Sequence, residues 1–261
     1  MQQRIITAII ALIILVPIII YGGLPFIIFT YILATIGLYE LMRMYTKNKT
    51  VLYICVSLPF MWVIIIQGNE SFLGLKELDV YNIFVVFIIV LLVLTVLTKN
   101  TFSFEQASFV FFATLYISIA FSFLLTMRIA GLNYFLFILF IVWATDSGAY
   151  FVGKSLGKRK LWPAISPNKT VGGAIGGIFL ALIVGVVFHL VYPFDYSIGY
   201  IIMISFIISI VGQMGDLVAS AIKRHFDIKD FGKIFPGHGG VLDRVDSLLF
   251  VFIVLHLIQF A

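Results

Sequence analysis

The sequence predicts an all-α, polytopic integral membrane protein of about nine transmembrane helices. Three observations predict it. Hydrophobic residues fill 62% of the 261 positions and charged residues 11%, with a mean hydropathy of +1.15, which leaves too little polar surface for a soluble domain of this length. The apolar residues fall in runs near the length that crosses a hydrocarbon core about 30 Å thick. Those runs are continuous instead of alternating, which excludes a transmembrane β-barrel.

The first run needs justifying. Arg4 followed by Ile5 to Ile20 has the order of a signal peptide, but Tyr21-Gly22-Gly23-Leu24-Pro25 offers no small-residue cleavage site and another run begins at once. Residues 4–20 are therefore expected to stay as the first span. Further spans are expected at 24–42, 51–67, 80–98, 107–127, 132–152, 171–192, 198–218 and 246–260. The last is short, so eight spans with a buried final helix is the alternative count.

With the N-terminus inside, the inner loops hold 15 of the 17 basic residues, whereas the outer loops hold only Lys76 and Arg128 beside Glu70, Glu77, Asp79 and Asp195. Cytoplasmic loops favour Lys and Arg, so the expected topology is N-in, C-out. This distribution also accounts for the net charge of +5, and no nucleic-acid partner is expected. A single cysteine, Cys55, permits no internal disulfide, and no Cys/His spacing suggests zinc.

The longest polar stretches, roughly 153–170 and 219–245, both fall inside, and neither is large enough to bury a core of its own. The chain thus divides into N-terminal transmembrane helices, 1–130, and a C-terminal region, 131–261, whose inner face carries the unusual residues. Ionisable groups within or against apolar spans are costly and are functional candidates by default. Asp146 and Asp216 lie near the inner ends of the sixth and eighth spans, and Asp243 and Asp246 open the ninth. Asp243 and Asp246 are three residues apart and share a helix face. Joined by Asp216, they could hold Mg²⁺, which takes one or two carboxylates with water and substrate phosphate. Lys223, Arg224 and Arg244 add cations beside the acids. Acids for a metal with bases for phosphate point to phosphoryl or nucleotidyl transfer.

Pro236-Gly-His238-Gly-Gly240 is a turn whose glycines let backbone amides approach an anion, with His238 a candidate donor to phosphate or acid. Ser166-Pro-Asn-Lys169-Thr170 precedes the seventh span, where a lysine and a hydroxyl at a helix entrance can bind phosphate. In the plainer alternative, Thr170 is an ordinary cap. Gly172, Gly173, Gly176 and Gly177 give two GxxxG spacings suited to close helix packing. Gly148 to Ser155 matches the P-loop pattern, but Ala-Tyr-Phe-Val at the end of an apolar helix cannot wrap phosphates. Lys154 is accordingly expected to matter little. His189, His225 and His256 are expected to be structural.

The 27 residues from Ser220 to Asp246 resemble the signature of the phosphatidate cytidylyltransferase, or CDP-diacylglycerol synthase, family. The resemblance is carried by Ser220-Ala-Ile-Lys223-Arg224, Lys229-Asp230, His238-Gly239-Gly240 and Asp243-Arg244-Val245-Asp246. Asp146, Ala149-Tyr150, Gly153, Gly157 and the Ser166–Thr170 segment extend it upstream. The family usually carries Glu where this chain has Gly172.

The resemblance implies transfer of the cytidylyl group of CTP to phosphatidic acid, giving CDP-diacylglycerol and pyrophosphate, by a protein of the bacterial inner membrane that works from the cytoplasmic side and can form a homodimer. It implies Mg²⁺ on Asp216, Asp243 and Asp246, with K⁺ as a candidate second ion. Contacts to substrate phosphates would come from Lys169, Lys223, Arg224 and Arg244, and Asp146 would shape the nucleotide site. A transporter is the main rival, but its acids belong near mid-membrane instead of at one face. Another Mg²⁺-dependent lipid phosphotransferase is a second rival; only the favoured reaction releases pyrophosphate from CTP.

Overall fold

A computed structural model describes residues 2–45, 50–67, 79–237 and 239–260 of the chain. Lys47, Lys49, Glu70, Lys76, Glu77 and His238 lie outside the described residues. Within them the chain forms α1 (Gln2–Tyr21), α2 (Gly23–Tyr45), α3 (Thr50–Gln67), α4 (Val80–Leu97), α5 (Phe104–Ala130) and α6 (Leu132–Leu156). A hairpin of β1 (Lys160–Trp162) and β2 (Ser166–Thr170) follows, then α7 (Val171–Val191), α8 (Ile198–His225) and α9 (Leu242–Leu257). Six of these helices, α2 and α4 to α8, are long and apolar enough to cross a membrane. The protein is a multi-pass, helical membrane protein. With 16 residues, α9 rises only about 24 Å, short of a hydrocarbon core of about 30 Å.

The hairpin departs from the all-helical expectation. Lys160 pairs with Thr170 and Trp162 with Ser166, antiparallel. Ile165 N–H closes the turn onto Trp162 O at 3.2 Å around Pro163, whose fixed φ suits the second position of such a turn. Helices also run past the apolar runs that announce them, as α8 does to His225, because hydropathy ends at the membrane face while backbone hydrogen bonding continues.

The chain divides into two compact units. One comprises residues 1–129 with 231–242, and the other 130–230 with 243–261. In the first, Arg128 near the end of α5 donates from Nε to Ile19 O at 2.7 Å and from Nη2 to Ile20 O at 3.0 Å, satisfying carbonyls that the end of α1 leaves open. Phe60 of α3 stacks on the buried Phe87 of α4 at 4.3 Å. The segment 231–242 turns back through Gly237 (φ 77°) and Gly239 (φ 86°), conformations that cost glycine little, and Phe235 N–H bonds to Gly239 O.

In the second unit, α6 and α7 approach to backbone contact. A Cβ added at Gly148, Gly173 or Gly177 would lie 2.7 Å from Gly176 O, Ala149 O or Thr145 O respectively. The small-residue spacing therefore serves close packing, as expected. Thr170 is the N-cap of α7, its hydroxyl accepting from Gly173 N–H at 3.0 Å. Gln213 of α8 donates to Ala174 O of α7. Gly215 brings α8 against α9, since a Cβ there would meet Phe250 Cβ at 2.7 Å and Asp246 O at 3.0 Å. At the far end, Phe137, Phe188, Phe194 and Phe260 cluster. There His189 Nδ1 accepts from Phe194 N–H, the structural role expected of it.

Candidate active site

The close helix contacts of the second unit leave a wide opening where α6 ends, α7 begins and α8 passes. It is a cavity of about 620 Å³, within the range of small-molecule sites. Along α6 it is lined by Asp146, Tyr150 and Lys154, four residues apart and so on one helix face, with Gly153 keeping the wall low. The hairpin contributes Lys160, Asn168 and Lys169, and α8 contributes Gln213 and Asp216. Three lysines thus surround two aspartates in a half-open pocket. Lys169 Nζ bonds to Asp216 Oδ2 at 2.6 Å, and Ser220 Oγ donates to Asp216 Oδ1 at 3.4 Å.

A second acid cluster adjoins it. Asp243 and Asp246 both lie in the first turns of α9, where negative charge suits the positive end of the helix. Lys223 Nζ, near the C-terminus of α8, bonds to Asp243 Oδ1 at 2.8 Å. Asp246 Oδ1 accepts from Ser247 N–H at 2.8 Å and lies within electrostatic reach of Asp216, Lys223 and Asp243. Asp146 is similarly within reach of Asp216 and Lys169. The four acids named from sequence thus form one connected electrostatic group, and Asp216 belongs to both halves.

Among the described residues, no three His, Cys, Asp or Glu side chains are arranged to hold a metal ion together. Two of the three proposed ligands turn instead to lysines, Asp216 to Lys169 and Asp243 to Lys223. In donor chemistry the group still fits Mg²⁺, a hard cation that needs one or two carboxylates and completes its shell with water and phosphate oxygens.

The other sequence candidates are distributed around this group. Arg224 Nε donates to Ile165 O at 3.4 Å, which ties the end of α8 to the hairpin turn. Ser166 lies in β2 opposite Trp162, and its neighbour Asn168 lines the cavity. Arg244 is exposed, and His238 falls outside the described residues. The P-loop pattern is overruled, because α6 is continuous through Gly148 to Ser155. Lys154 also lines the cavity. The four-residue spacing of Asp146, Tyr150 and Lys154 carried that information. Lys160 reaches the cavity through a hairpin that three residues of strand do not announce, and Gln213 by a polar position within an apolar helix.

The profile of the Cytidylyltransferase family matches residues 2–261. A phosphatidate cytidylyltransferase of Bacillus subtilis (strain 168) is 43% identical over 96% of this chain and 94% of its own length. Proteins of the same name from Staphylococcus saprophyticus and Staphylococcus aureus (strain COL) are 42% and 43% identical, each over 99% of this chain and 98% of their own length. With near-complete coverage, and with an acid and lysine cavity at the polar ends of apolar helices, the chain belongs to the cytidylyltransferase family.

Proposed function

We propose that this protein transfers the cytidylyl group of CTP to phosphatidic acid, releasing pyrophosphate and leaving CDP-diacylglycerol in the membrane. The observation that carries this is the cavity in which Lys154, Lys160 and Lys169 surround Asp146 and Asp216 at the ends of membrane-spanning helices. It offers cations to phosphate groups. The relatives' name supplies the acceptor, phosphatidate.

The chemistry asks little of a general base. Phosphatidate is a phosphomonoester with a second pKa near about 6, like a phosphoserine, so at neutral pH it is already an anionic nucleophile. One of its phosphate oxygens bonds to the α-phosphorus of CTP. The bond from that phosphorus to the α,β-bridging oxygen breaks, and the oxygen leaves with pyrophosphate. The obstacle is the approach of two anions. Lys154, Lys160 and Lys169 reduce that repulsion within the cavity, and Lys223, Arg224 and Arg244 extend the positive surface toward α9. Ser166 and His238 are further candidates for phosphate contact. Mg²⁺ on Asp216, Asp243 and Asp246 would neutralise the triphosphate and the departing pyrophosphate. Asp146 limits the cavity on the α6 side and helps to orient the nucleotide.

With the N-terminus inside, the cavity would open to the cytoplasm of a bacterial inner membrane, where CTP is available. The assignment of 15 of 17 basic residues to inner loops supports that orientation. Asp246→Asn tests the site. The variant should insert and fold yet lose Mg²⁺-dependent transfer in detergent with CTP and phosphatidate. Turnover equal to wild type would remove Asp246 from the reaction.

A further inference from the structure

Glu40 has no place in the chemistry above, yet it is a buried acid in the apolar helix α2, 2% exposed. Its Oε1 accepts from Val241 N–H and its Oε2 from Leu242 N–H, each at 2.9 Å. These are donors at the very start of α9, where a helix leaves its first N–H groups without partners inside the helix. A side chain in the capping position accepts from N–H groups two and three residues further on, so residue 241 cannot serve its own N–H or that of Leu242.

The carboxylate is closely enclosed. A Cβ at Gly232 or at Gly240 would overlap Glu40 Oε1, so a side chain at either position would displace the carboxylate. One turn earlier on α2, Gly37 admits the Leu242 side chain, and a Cβ there would lie 3.0 Å from Leu242 Cδ2. All these contacts fall within the first unit. The helix they anchor continues directly into Asp243 and Asp246, one and four residues beyond Leu242.

We infer that Glu40 is a positioning residue: it caps α9 from 202 residues away and fixes where that helix begins, and with it the acids of its first turns. The inference rests on the proposed role of Asp243 and Asp246 in the transfer. Glu40 touches no substrate. It acts by holding Val241 and Leu242 in place.

The test uses the full-length protein in detergent. In Glu40→Gln, which keeps the shape but can accept at only one oxygen, kcat should fall about tenfold to a hundredfold with KM for CTP changed less than about twofold. Amide hydrogen exchange at Val241 and Leu242 should rise. Unchanged exchange or unchanged kcat would each overturn the inference. The underlying reading fails separately: if Asp246→Asn is fully active, the acids of α9 are not part of the reaction, whatever Glu40 does to exchange.

Discussion

Gly215 is where helix packing and chemistry meet, and Gly215→Ala separates the two. The added methyl would lie 2.7 Å from Phe250 Cβ, 3.0 Å from Asp246 O and 3.2 Å from Ser247 Cα. Carbon atoms rest at about 3.5–4.0 Å, so α8 and α9 must part by about 1 Å at this level. Overpacking of this kind costs about 1–3 kcal/mol, and replacing glycine with alanine inside a helix returns about 1 kcal/mol. The net loss of stability is therefore expected to stay below about 2 kcal/mol. Asp216, the next residue, would move away from Asp246 by a similar distance, and a misplacement of about 1 Å can cost about a hundredfold in rate. The expected result is a protein whose thermal unfolding in detergent shifts by a few degrees while cytidylyl transfer falls about a hundredfold. Turnover within about twofold of wild type would refute the claim that close approach of α8 and α9 builds the site.

Other perturbations separate the parts. Lys154→Ala should raise KM for CTP about tenfold or more with kcat little changed, because a charge-assisted contact to phosphate is lost from the cavity wall; an unaltered KM would remove Lys154 from the nucleotide site. Gly172→Glu should raise the midpoint of thermal unfolding. A Cβ there meets Leu156 O at an ordinary 3.4 Å, and an acid in the first turn of α7 suits both helix propensity and the helix dipole. A lower midpoint would show that the glycine is required. Thr170→Val removes the cap of α7 and should cost about 1 kcal/mol of stability, measured by the same unfolding assay.

The sequence made the membrane helices legible because lipid leaves backbone polar groups no partner but their own helix, so long apolar runs have few alternatives. The acids were legible for the converse reason: Asp146, Asp216, Asp243 and Asp246 stand where charge is costly. Close packing of α6 on α7 followed from the glycine spacing. What stayed hidden depends on tertiary contact. Glu40 carries no signal of its role in the sequence, since nothing local links it to an amide 201 residues away. The ion pairs of Lys169 with Asp216 and of Lys223 with Asp243 likewise depend on which helices adjoin. Sequence spacing suggested three aspartates sharing one cation, whereas the folded chain turns two of them toward lysines. Lys154 shares a helical register with Asp146, which marks it as a cavity residue independently of the false P-loop match. The hairpin was missed because β1 is three residues long and lies in a basic loop.

The most direct measurement of the central claim reconstitutes the full chain in liposomes with phosphatidate and Mg²⁺ and supplies CTP labelled at the α-phosphorus. Label should enter the lipid in equal amount to the pyrophosphate released, and both should vanish without phosphatidate. Pyrophosphate formed without labelled lipid, or label that crosses the bilayer as intact CTP, would contradict it.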